Sequence, residues 1–255
     1  MLKKSAFIAV PALALFAAVA AASPAMAAST STSYQATLAP INGSHASGTV
    51  VVTVAGGQAT VTEKVTGLAA TFGGKPYPHV QHIHVGGKGV CPTTAADTSK
   101  DGVISTTEGA PFYGGIGTTL STSGDVSPAA GTTLTVAPAG STFTYQRTFP
   151  LNAVTLASLQ AGTAVVVVHG LDPATLSAAA QKEKSDLVPS LPLAATSPAL
   201  CGTLVASQVG MPVGGAQTGG GGTSTGPNLG LLGLGGGLFV AAAGTLVARR
   251  KMARN

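Results

Sequence analysis

The chain predicts an all-β domain, an antiparallel Greek-key sandwich or barrel with one short helix, set between a signal peptide and a membrane anchor. Three observations point there. Runs rich in Val and Thr recur at short intervals with turn residues between them, as in short strands joined by tight turns. The 255 residues include 35 Gly and no Trp. Both ends carry long apolar runs that differ in character from the middle, so fold reasoning belongs to the middle.

The ends read as follows. Lys3 and Lys4 precede an apolar run over 6–22, and Ala25-Met26-Ala27 offers small residues for cleavage. Residues 1–27 therefore read as a secretory signal peptide. Residues 210–228 form a Gly/Ser/Thr-rich linker. Residues 229–247 are uncharged and about long enough to cross a bilayer as a helix. Arg249, Arg250, Lys251 and Arg254 make 248–255 a basic tail, which the positive-inside rule keeps cytoplasmic. The expected localisation is export to the cell surface, anchored by a single membrane pass with the domain outside.

This placement reassigns the charge. The formal net charge of +5 resides at the two ends, whereas seven basic and eight acidic residues lie between Ala28 and Asn228, a net of −1. The basic character therefore gives no argument for a nucleic-acid partner.

The domain itself runs over 33–209. A first strand is expected over 34–38. Residues 48–54 and 58–65 form a hairpin across Ala55-Gly56-Gly57. A strand-like run over 78–87 follows, then a long polar excursion over 86–125. Further strands are expected over 132–136, 143–149, 164–169 and 200–205. Four consecutive valines, Val165 to Val168, mark a strand buried on both faces. Asp172-Pro173 then caps a helix over 174–185.

His82 and His84 stand two apart on a strand, so both project from one face. Two neutral imidazoles on a rigid strand make half of a copper or zinc site, although the same pair also suits an exposed strand face. His45 lies in a polar loop and reads as solvated. Arg147, between Gln146 and Thr148, reads as part of a solvated strand face.

His82-Ile83-His84, the run Val-Val-Val-Val-His169-Gly170 and Leu200-Cys201-Gly202 resemble the copper/zinc superoxide dismutases in residue type and chain order. The 48–65 hairpin and the His-Ile-His-Val-Gly segment also resemble the chordin-type (CHRD) domain. The resemblance implies copper ligation by His82, His84 and His169, a Cys91–Cys201 disulfide, and a structural role for His79. An even cysteine count in an exported chain favours the same disulfide. Two departures stand out. No histidine lies between His84 and His169, so the family's bridging imidazolate and histidine zinc ligands are missing. Pro198 stands where the family carries the arginine that steers superoxide. The resemblance thus implies copper sequestration or weak redox chemistry, with any dismutase activity slow. A structural or adhesion module without metal is the alternative. Copper leads by the affinity order at nitrogen sites, while three histidines plus water also suit zinc.

Two further sites are expected. Residues 97–108 resemble an EF-type calcium loop, with Asp97, Ser99, Asp101, Val103 (through its carbonyl), Ser105 and Glu108 at the ligand positions and Gly102 at the turn. Pro92 and Gly109-Ala110-Pro111 argue against flanking helices. Asp172, three residues past His169, could back an imidazole or cap the helix that follows.

Overall fold

A computed structural model describes residues 31–207. The expected signal peptide (1–27), linker (210–228), transmembrane helix (229–247) and basic tail (248–255) lie outside the described residues. Among the described residues no helix is long and apolar enough to cross a membrane.

The architecture is antiparallel β with few helices. Strands β1 (Thr32–Pro40), β2 (Ser47–Ala55) and β3 (Gln58–Thr66) form a meander. Val50, Val52, Ala59, Val61 and Val65 are buried, alternating with more exposed positions that carry mostly Thr, Val and Lys. That period of two packs one face and solvates the other. The turn glycines Gly56 and Gly57 have φ of 55° and 77°, the left-handed region a tight hairpin demands.

A two-stranded ribbon, β4 (Thr71–Phe72) and β5 (Lys75–Pro76), leads to β6 (Gln81–Gly86). Then come α1 (Thr106–Tyr113), β7 (Gly114–Thr119), β8 (Thr142–Pro150), α2 (Ala153–Gln160), β9 (Val165–His169), α3 (Leu193–Thr196), β10 (Pro198–Thr203) and β11 (Val205–Ala206). The main sheet has the order β7-β6-β9-β10-β1-β2-β3-β8, with β11 also paired to β1. It curls into a half-barrel. The ends meet through side chains: Tyr145 and Arg147 on β8 donate to the Ser121 carbonyl, just past β7, at 3.2 and 2.8 Å.

Four expectations are corrected here. Arg147 does not belong to a solvated face; it is half-buried on the inner side with Tyr145 and Phe149, and its guanidinium bonds Ser121 and Gly124. Sheet curvature brings those carbonyls to it, which no local pattern encodes. The helix expected over 174–185 is two 3₁₀ turns, Pro173–Thr175 and Ala180–Lys182. Helix formers there have only Ala180 fully buried, and propensity without a packed face does not sustain a helix. The strand expected over 132–136 is exposed over Thr132–Thr135 and ends in the 3₁₀ turn Leu134–Val136. In place of one short helix there are three among the described residues.

Elements also form where none was expected. β7 is glycine-rich and owes its existence to pairing with β6. Asn152 caps α2 by accepting from Thr155 N at 2.8 Å, while its amide donates to the Gly117 carbonyl.

The centre of the sheet is covered on both sides. Ile83, Val166 and Val168 point into the main core. Val165, Val167 and Cys201 face the other way and pack against Tyr113 of α1 in a second cluster. The Cys91–Cys201 disulfide, spanning 110 residues, fastens the polar excursion over this second face.

Candidate metal centre

On the second face the strand register assembles the histidines. His82 and His84 on β6 lie opposite Val167 and Val165 on β9. They therefore share the face of those valines, and so does His169 two residues beyond Val167. All three imidazoles are nearly fully buried. Ring centroids are 5.2 to 5.9 Å apart. Each residue offers one ring nitrogen, and these atoms lie within 4.8 Å of one another. Among the described residues this is the only such group of His, Cys, Asp or Glu side chains.

Backbone carbonyls orient every ring. His82 Nε2 donates to Gly131 O and His84 Nδ1 to Gly114 O, both at 2.9 Å. His169 Nδ1 donates to Thr196 O at 2.6 Å. A carbonyl only accepts, so each of these nitrogens must carry the proton. The other nitrogen then holds a lone pair: Nδ1 of His82 and Nε2 of His84 and His169. These three atoms are buried without a hydrogen-bond partner. Unpaired buried nitrogens are costly unless something occupies them. Fixing the tautomer through the second nitrogen is how proteins present imidazole to a metal.

The electrostatics agree. Burial, with the neighbouring imidazoles, pushes His82 well below the usual histidine range. Burial, with His169 beside it, takes His84 down to about 3, and burial takes His169 down to about 4. The trio is neutral at physiological pH, the form that ligates metal.

Two of the accepting carbonyls sit on glycines for a steric reason. Gly114 has φ of 92°, and a Cβ there would lie 2.0 Å from Val85 O. A Cβ on Gly131 would meet Ile116 Cδ1 at 2.5 Å. Thr196 O is held in turn by the Thr106 hydroxyl at 2.5 Å. Tyr113 packs edge-on against His84 at 4.7 Å and donates to Thr106 O. Sequence reasoning missed Gly114, Gly131, Thr196 and Tyr113. Three of the four act through backbone carbonyls, which leave no side-chain signature. The positive φ of Gly114 is the one trace, and a glycine-rich chain hides it.

The other expected residues fall as follows. His79 is fully buried, its Nδ1 and Nε2 each 2.9 Å from the carbonyls of His169 and Ala69. It ties the loop before β6 to the end of β9. Asp172 bonds no imidazole; its Oδ1 accepts from Ala174 N at 2.9 Å and caps a 3₁₀ turn. His45 is exposed in its loop. Pro198 is buried and paired with His169 in register.

The 97–108 loop is spent on itself. Asp97 accepts from Lys100 N, Gly102 N and the Ser99 hydroxyl, and Asp101 from Val103 N. Glu108 Oε1 accepts from Thr98 N, Ser99 N and the Thr98 hydroxyl. Its Oε2 accepts from Ser105 N, while Ser105 Oγ accepts from Glu108 N, a capping box that starts α1. Partial burial works against Glu108 ionising, but these donors outweigh it and hold the carboxyl down to about 2. The expectation of no flanking helix is therefore corrected. Pro111 sits inside α1, which the capping box and the buried Tyr113 hold in place. Val103 is buried, and Asp97, Asp101 and Glu108 do not gather into a group of metal-ligand atoms.

No protein-family model matches the chain, and no curated protein matches it.

Proposed function

We propose that the protein is a cell-surface metal-binding domain, copper being the favoured ion, held by His82, His84 and His169 for sequestration or weak redox chemistry. The observation that carries this reading is the trio itself: three buried imidazoles, each with one nitrogen locked by a carbonyl and the other free. Copper leads zinc because the affinity order at nitrogen sites favours Cu(II). A copper ion there supplies one-electron redox chemistry, and zinc would supply a Lewis acid. The residues keep the donors neutral, oriented and under a protein roof.

A superoxide dismutase-like Greek-key sandwich is the fold reading that goes with it. In its favour, three consecutive strands β1-β2-β3 have a later strand, β10, returned beside the first. The buried Pro198 next to His169 supplies no steering charge, so sequestration or slow turnover suits the site better than fast dismutation. Surface display rests on the apolar and basic ends of the chain.

Copper titration of the purified full-length chain tests the reading, with zinc in parallel. One Cu(II) should bind per chain, and His84→Ala should lower its affinity at least tenfold. Binding that ignores His84 and His169 would leave a structural or adhesion module without metal.

A further inference from the structure

His82, His84 and His169, whose free nitrogens are buried, are among the residues that line a pocket of about 390 Å³. That volume is in the range of small-molecule sites, and it far exceeds the roughly 30 Å³ a water occupies in the liquid. Its walls are mostly apolar, built by Val80, Ile116, Leu134, Leu187, Val188 and Leu191 with threonines between them. Among the described residues no Lys, Arg, Asp or Glu lines it. Asp186, whose carboxylate accepts from Thr107 N at 3.3 Å, sits behind the rim and adds negative charge. Leu134 and Leu187 are 41% and 50% exposed at this rim. A site for a small inorganic anion would need neither the volume nor the leucines.

Resting on the metal reading above, we propose that the pocket takes a small molecule with an apolar body and one donor atom. The donor fills the open position at the His82–His84–His169 centre, and the body lies against Ile116, Leu191 and the rim leucines. Burying a ring against such walls gains affinity in proportion to the apolar area removed from water. A cationic ligand would lose hydration beside a like-charged metal ion, with no carboxylate among the described lining residues to partner it.

The test compares imidazole with 4-phenylimidazole on the copper-loaded full-length chain, read by the copper EPR and visible absorption spectra. Both offer the same nitrogen to the metal, and only one carries an apolar body. 4-Phenylimidazole should bind at least tenfold tighter. The double variant Leu134→Asn/Leu187→Asn, at exposed positions, should cut that preference at least threefold, with imidazole as internal reference. Equal affinities on a normally loaded protein would overturn the pocket inference and leave the copper reading standing. Equal 4-phenylimidazole binding to metal-free protein, measured by calorimetry, would also overturn it, because the donor contact would then play no part. Failure to load copper or zinc would overturn both.

Discussion

Glu63 shows what a single side chain can store in this fold. It points inward from β3, opposite Tyr145, is fully buried, and neither carboxylate oxygen has a hydrogen-bond partner. Burial pushes its carboxyl up from 4.5 to about 8, with the Gln81 amide opposing in part. The folded protein therefore keeps a proton that the unfolded chain gives up above pH 4.5. Stability from this group is full below that value and drains away as pH rises toward 8. The loss by pH 7 is about 3 kcal/mol at one pKa unit per 1.36 kcal/mol. Glu63→Gln keeps the shape without the proton. Chemical denaturation at pH 5 and pH 8 should show the variant gaining on the parent by a margin that grows with pH. A constant margin would mean that Glu63 ionises freely. The histidine trio has the opposite slope: its lowered pKa values cost metal-free stability as pH falls below 6.5. The variant-minus-parent difference cancels that contribution.

Among the elements, α1 is the one that joins the excursion to the site. Its capping box satisfies two N-terminal donors, Glu108 also gathers Thr98 and Ser99, and its last residue, Tyr113, buries against His84. Ser105→Ala removes one arm of the box and should cost about 1 kcal/mol, the usual worth of an N-cap. The same variant should loosen Gly114, whose carbonyl follows directly on the helix and holds His84. Hydrogen exchange at β7 amides is the measurement, and unchanged protection there would separate the cap from the site. β7 makes the complementary point. Its glycines have poor strand propensity, yet they let β7 approach β6 closely enough for Gly114 to face His84.

For the whole molecule the Cys91–Cys201 link matters most. It closes a span of 110 residues and pins the excursion beside Val165, Val167 and Tyr113, next to the face that carries the histidine trio. In the chain-entropy model a loop of this size is worth at most about 4–5 kcal/mol. The Cys91→Ser/Cys201→Ser variant should lose a large part of that in denaturant midpoint. It should also bind copper more weakly, because Gly114 O is presented by the excursion that the disulfide secures. Full copper affinity in a destabilised variant would show that the strands alone position the trio.

By itself the sequence determined what local chemistry can write. Alternating Val and Thr set the β1-β2-β3 meander and its buried face, and the 82/84 spacing put two imidazoles on one side of a strand. The four valines before His169 announced a strand covered twice. With only two cysteines, a disulfide had one pairing available. Tertiary structure alone decided the rest. Which face of β6 the excursion covers, which carbonyls lock each ring, and where Glu63 loses its water depend on contacts between distant segments. The helix expected over 174–185 failed because propensity is a per-residue bias, whereas a stable helix needs a packed partner. β7 succeeded for the converse reason. The three carbonyls at the site are the extreme case: every residue has one, so only the fold can single out Gly114, Gly131 and Thr196.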